Sequence, residues 1–197
     1  MKLNPSLTEI LYSTYIGGSE VDEAFSIAVD SEGCAYITGG TLSIDFPVTT
    51  DIEESKSEIY ARAFLCILNP DGSNLIYSTS YKMKLDNSCG YEITIGQNNC
   101  VYIAGQTWID PNIDLIFVME ANPLDRYNIL FLTYYGGSGI ESNPSIAVDK
   151  DGEIYVTGYT WSYDLPITPD AFQKKKESPE HTHVGFIFKL DSTGSKL

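Results

Sequence analysis

Short apolar runs separated by turn residues set the pattern of this chain. In its first third they fall near Ala24–Val29, Ala35–Thr41, Ala61–Leu68 and Asn74–Ser80. Their richness in Tyr, Ile, Val, Phe and Thr predicts strands. Asp30-Ser-Glu-Gly33 joins the first two runs, with Asp opening a turn and Gly taking the left-handed position, which predicts a hairpin closed by a type I turn and a bulge. Asn69-Pro-Asp-Gly72 and Asp149-Lys-Asp-Gly152 have the same form, so every connection is read as antiparallel. The third run is apolar at both parities, Phe64, Cys66 and Leu68 on one face and Leu65 and Ile67 on the other. A strand buried on one side alternates, so this sheet is expected to be covered on both faces.

The pattern recurs. Ile27-Ala-Val-Asp-Ser-Glu-Gly-Cys-Ala-Tyr-Ile-Thr-Gly39 returns as residues Ile93–Gly105 and again as Ile146–Gly158. Each copy is preceded by a second string, Tyr12-Ser-Thr-Tyr15, Tyr77-Ser-Thr-Ser80 and Phe131-Leu-Thr-Tyr134, and followed by a third that starts at Phe64, Phe117 and Phe186. The order never changes, which predicts an all-β chain of three four-stranded antiparallel units near 17–80, 81–135 and 136–197, with residues 1–16 supplying a fourth strand to a neighbouring unit. Small sheets, repeated and buried on both faces, are the blades of a β-propeller. Three units are too few for a closed ring, which takes roughly four to eight blades. The single propeller segment spanning 1–197 is therefore expected to be incomplete, or completed by a second copy or by the remaining blades of a longer chain. Lys2-Leu-Asn-Pro5 restates Lys189-Leu-Asp-Ser192, and Ile10–Ile16 carries the fourth-strand motif that the last unit lacks before Leu197.

The strings Tyr-Ser-Thr-Tyr-Ile-Gly-Gly-Ser from Tyr12, Ile-Ala-Val-Asp-x-x-Gly-x-x-Tyr-Ile/Val-Thr-Gly, Leu165-Pro-Ile-Thr-Pro-Asp-Ala-Phe-Gln173 and Phe-Lys-Leu-Asp-x-x-Gly from Phe188 resemble the bacterial seven-bladed β-propeller (SBBP) repeat family. The likeness is strong in the first and third units and weaker in the second, where Gly96-Gln-Asn-Asn99 replaces the Asp-x-x-Gly turn. It implies propeller blades of an exported or surface-attached bacterial protein, hence an extracellular or cell-surface location. The shared motif is built of turn and packing positions, so it implies no catalytic residues.

Composition narrows the partners. With 12 Lys+Arg against 27 Asp+Glu the net charge is −15, a field that repels phosphate backbones, so no nucleic acid is expected. No apolar run approaches the roughly 20 residues of a spanning helix, so no membrane insertion is expected, and MKLNPSLTEI has no apolar core of a signal peptide. Cys34, Cys66, Cys89 and Cys100 fit neither a zinc pattern nor a dense disulfide framework and are expected as free, partly buried thiols. Cys34 and Cys100 share a repeat position in different blades, beyond the roughly 7 Å reach of a bridge.

Candidate chemistry is sparse. Trp108 and Trp161 follow Thr107 and Thr160 at equivalent places, where the second strand is expected to leave the sheet. An exposed pair would stack on sugar rings or grip a protein; the first-unit equivalent, Leu42, favours a packing wedge between blades instead. Carboxylate pairs such as Asp22 and Glu23, Glu53 and Glu54, or Asp149 and Asp151 are compatible with a polysaccharide hydrolase or lyase, but the expected state is a solvated acidic surface. Asp149-Lys-Asp-Gly-Glu153 holds only part of a calcium loop, and His181-x-His183 lacks the further ligands of a zinc site. Lys174-Lys-Lys176 is the one basic run. No cofactor is expected, with calcium at the partial loop Asp149–Glu153 as the alternative, and no nucleophile elbow or phosphate loop is present. The connections between second and third strands, 42–60 and 161–184 against only 108–115, are long enough to be functional. They are expected to form two walls with a ligand notch between them. The functional expectation is a noncatalytic binding or scaffold module with a protein or carbohydrate partner; the alternatives are the propeller hydrolase or lyase and a purely structural spacer. Tyr36, Tyr102 and Tyr155, at one repeat position, are expected to be buried between blades.

Overall fold

A computed structural model describes residues 1–49, 60–83, 87–97, 100–110, 113–122, 128–179 and 182–195. Thirteen strands form a short amino-terminal hairpin and three larger antiparallel sheets. The hairpin is β1 (Lys2–Leu3) with β2 (Ile10–Tyr12). Sheet one runs β3 (Asp22–Val29), β4 (Ala35–Thr41), β5 (Arg62–Leu68) and β6 (Leu75–Tyr81). Sheet two runs β7 (Asn87–Ile95), β8 (Val101–Asp110), β9 (Ile113–Asn122) and β10 (Asn128–Tyr135). Sheet three is β11 (Glu141–Val148), β12 (Ile154–Thr160) and β13 (Val184–Leu190), with no fourth strand among the described residues.

The turns follow their residues. Gly33, Gly72, Gly152 and Gly194 all have φ between +67° and +87°, the left-handed region open to glycine. In the first of these, Gly33 N donates to Asp30 O at 3.1 Å while Asp30 Oδ1 accepts from Glu32 N and Cys34 N. Each first strand carries a bulge at one repeat position, near Phe25 in β3, Tyr91 in β7 and Asn143–Pro144 in β11. Phe25 and Tyr91 stack there with ring centroids 5.1 Å apart.

The first strands lie side by side, β3 by β7 and β7 by β11, each also packing on later strands of the preceding sheet. The sheets thus stack face to face as propeller blades in an open arc. Two cores fill the gaps. Between sheets one and two, Tyr36, Leu65 and Ile67 meet Ile93, Val101, Ile103, Phe117 and Met119. Between sheets two and three, Tyr102, Ala104, Ile116 and Val118 meet Ile146, Ile154, Val156, Phe186 and Phe188. The front-face residues occupy the same repeat positions in both gaps, and on the back faces Tyr36 and Leu65 correspond to Tyr102 and Val118. Every residue of β5 is buried, as its double-sided apolar pattern requires.

One expectation needs correction. Tyr36 and Tyr102 are buried, but Tyr155 is half-exposed, because the back face of sheet three has no described sheet against it. The amino-terminal strand extends over Ile10–Tyr12 and pairs with β1. The weak second unit is nevertheless a full four-stranded sheet of the same strand order as the first. All four cysteines are free, and Cys34, Cys66 and Cys89 are fully buried while Cys100 is half-exposed. No helix of the described residues is long and apolar enough to cross a membrane.

Candidate functional site

Trp161 leaves the end of β12 between two anchored neighbours. Thr160 Oγ1 donates to Glu141 Oε1 at 2.7 Å and Ser162 Oγ donates to the same oxygen at 2.5 Å. Glu141 Oε2 accepts from Gly137 N at 2.9 Å, and Trp161 N itself donates to Ile140 O at 2.9 Å. A second carboxylate finishes the clamp: Asp164 Oδ1 accepts from both the backbone N and the hydroxyl of Ser138. These two bonds hold Asp164 below the ordinary carboxylate range. A polar side chain as buried as Glu141 needs such partners, and here it has three.

The same clamp stands 119 residues earlier. Asp22 Oδ2 accepts from Gly18 N at 2.7 Å and Ser43 Oγ at 2.8 Å, and Asp45 Oδ1 accepts from Ser19 N and Ser19 Oγ. Asp22 is half-buried and its Oδ1 has no partner. Ser43 O also accepts from the buried Arg62 Nη2 at 2.6 Å. Asp22 and the repeated Thr-x-Ser-x-Asp string, Thr41–Asp45 and Thr160–Asp164, thus fix the root of each long connection. The sequence reading treated Asp22 as solvated acidic surface; the signal that reveals the clamp is the fixed spacing of Gly-Gly-Ser, the acid and Thr-x-Ser-x-Asp. Asp114, which the sequence analysis did not single out, is buried, accepts from Gln106 Nε2 at 2.5 Å and is pushed up by that burial and by Glu141. Glu53 and Glu54 lie outside the described residues.

Around Trp161 the clamp supports a small aromatic shelf. His183 lies 4.7 Å from Tyr159 and 5.4 Å from Trp161, centroid to centroid. Lys176 Nζ donates to Trp161 O at 2.9 Å and sits 4.3 Å from the Tyr163 ring centroid. Trp161 is 36% exposed and Tyr163 more so. His181 lies outside the described residues, so the paired-histidine reading reduces to His183, which is taken up by ring contacts.

Trp108 is placed differently. It sits inside β8, opposite Asn87 and Asp114, because the second unit turns back at once into β9 and has no long connection for its Trp to guard. It is half-buried, and no ring contact joins it to Trp161 among the described residues. Of the first wall of the expected notch, 42–60, residues 50–59 lie outside the described residues. The partial calcium loop spends its oxygens locally: Asp149 Oδ1 accepts from Asp151 N and Glu153 N, Asp151 pairs with Lys150, and Glu153 pairs with Lys189. Among the described residues no group of three metal-ligating side chains converges.

A family model described as a beta-propeller repeat, SBBP, matches residues 11–47 and 130–166. Both segments are similar to SBBP beta-propeller repeats. Each SBBP match runs from the fourth-strand motif through the Gly-Gly-Ser bend and the acid to the Pro after the clamp aspartate, Pro47 or Pro166. The two matched segments therefore contain the whole clamp, with Leu42 and Trp161 at the equivalent position between the Thr and the Ser. No curated protein matches the chain.

Proposed function

We infer that this chain is a noncatalytic binding and scaffold module of an exported or surface-attached bacterial protein, gripping a protein or carbohydrate partner through Trp161 and Tyr163. The observation that carries the reading is a partly exposed Trp on a clamped, rigid backbone, an aromatic anchor that loses little entropy on binding. The acidic charge favours neutral or cationic partners over anionic ones. Its noncatalytic character is supported by the carboxylates: the buried Glu141 is spent on three structural bonds, and neither of two open cavities, one bounded by Phe25, Ile27 and Ile37 and the other by Tyr15, Pro47 and Asn74, has a carboxylate in its wall.

Titration with a panel of soluble neutral polysaccharides, followed by tryptophan emission, tests this reading. Trp161→Ala is expected to abolish the change in emission on binding, and Trp108→Ala to leave the affinity unchanged. Binding that survives Trp161→Ala removes the shelf from the function, and newly formed reducing ends in the same mixtures would establish the hydrolase instead.

A further inference from the structure

The two internal interfaces show what the two outer faces of the arc are built to meet. At each, the front of one sheet offers six positions: Ile93, Val101, Ile103, Phe117, Met119 and Ala121 in sheet two, and their equivalents from Ile146 to Leu190 in sheet three. Sheet one carries the same set as Ile27, Ala35, Ile37, Phe64, Cys66 and Leu68. Its inner half is uncovered: Ile27 is 59% exposed, whereas Ile93 and Ile146 are 4% and 7% exposed. A cavity of about 280 Å³ opens there, bounded by Ile27, Ala35, Ile37, Leu68 and the amino-terminal segment. At the opposite end, the back of sheet three presents Tyr155 and Ile187, equivalents of Tyr36 and Leu65 buried at the first interface; Ile187 is 74% exposed.

The hairpin supplies the register. Lys2 pairs with Tyr12, as Ile67 pairs with Tyr77 and Glu120 with Phe131, all at one repeat position. Tyr12 covers Gly72 as Phe131 covers Gly194, and Ile16 packs against sheet one where Tyr135 packs on Phe186 and Phe188. Residues 10–16 thus already stand where the fourth strand of a preceding blade belongs. Lys2-Leu3 holds the place of Lys189-Leu190, and among the described residues β13 is a sheet edge with no fourth strand beside it.

The geometry points to head-to-tail association of copies of this chain. The back of sheet three of one copy seats on the front of sheet one of the next, Tyr155 entering the Ile27–Ile37 cavity. Residues 10–16 of the second copy add to β13 of the first in place of its own two-residue β1, with Tyr12 opposite Lys189. A second copy is the occupant because its free face presents Tyr155 and Ile187 at the two positions, Tyr36 and Leu65 at one interface and Tyr102 and Val118 at the other, that fill the equivalent gap twice within the chain, and because it brings the strand edge that β2 already fits. Trp161 stays outside the contact, as Leu42 does: it remains exposed although sheet two covers the back of sheet one.

Light scattering on the full chain in the micromolar range tests this, with Ile27→Asp and Ile187→Asp as variants. Both side chains are solvent-exposed in the single chain, so circular dichroism is expected to match the parent. The parent is expected to run above monomer mass and each variant as a monomer. An equimolar mixture of the two is expected to recover a dimer and nothing larger, since one contact pairs the intact tail of the first with the intact head of the second. A monomeric parent, a variant that still assembles, or a mixture that stays monomeric overturns the proposal. Independently of the variants' folding, a Tyr12→Cys chain mixed with a Lys189→Cys chain should oxidise to a covalent heterodimer, because directly opposite strand residues sit about 5 Å apart. Failure of that cross-link overturns the strand register.

Discussion

Glu141 shows how much a single repeat position can carry. It has no exposed surface and satisfies Gly137 N, Thr160 and Ser162 together. Glu141→Ala leaves three donors without their acceptor, at about 1–3 kcal/mol for each that water cannot reach. The expected loss of stability is about 3–5 kcal/mol, read as a lower urea midpoint. Asp22→Ala is expected to cost about 1–2 kcal/mol, because its half-buried carboxylate takes two bonds and water reaches the site. Two other carboxylates give opposite pH signatures. Asp164 has a folded pKa below the ordinary 3.8, so the unfolded chain protonates first; its contribution is whole above that value and is lost as pH falls through the folded one. Asp164→Asn should therefore flatten the acid limb of a stability profile. Asp114 is raised by burial, so its contribution is whole below 3.8 and is lost as pH rises through the folded value. Asp114→Asn, which keeps an acceptor for Gln106, should be more stable than the parent at pH 7 and equal to it near pH 3, by urea midpoints at both. At this scale the sequence was only half legible. The turn role of Asp30 and Asp149 followed from the glycine three residues on, but burial of Glu141 and Asp114 depends on a neighbouring sheet that no local pattern announces.

Elements were the most legible level. The runs read near Ala24, Ala35, Ala61 and Asn74 match β3 to β6 within about two residues at each end, since alternation and turn glycines leave little freedom of register. Two glycines set limits on change. Gly33 has φ +87°, so Gly33→Ala is expected to cost about 1–2 kcal/mol through backbone strain alone. A Cβ at Gly39 would collide with the backbone of Glu23 in the paired strand β3, so Gly39→Ala should lower the thermal midpoint more than Gly33→Ala, which differential scanning calorimetry would check. What the pattern missed is the run of β8 through Trp108 to Asp110: an expected strand end at Trp108 was carried over from units with long connections, while here the hairpin closes within two residues.

Across the whole molecule, the doubly covered third strand was the feature from which stacked blades followed, and the stacking order is as expected. The uneven fate of Tyr36, Tyr102 and Tyr155 was not legible, because burial of a blade face is a property of the next blade. Cover is greatest on sheet two, which packs on both sides. Native-state hydrogen exchange should accordingly be slowest in β8 and β9 and faster in β3 and β13, the outer members of the arc. The thiols turn this layering into chemistry. Cys66 lies in the front face of sheet one beside Ser78, and burial raises its thiol to about 12; Cys89 is raised to about 11, also chiefly by burial. Neither supplies appreciable thiolate at neutral pH in the closed arc, so an alkylating reagent reaches them only during an opening event. Cys100, half-exposed at the turn into β8, should be modified first and Cys66 last. The order and rates of alkylation, resolved by mass spectrometry, would then work as a clock for how often each pair of blades parts.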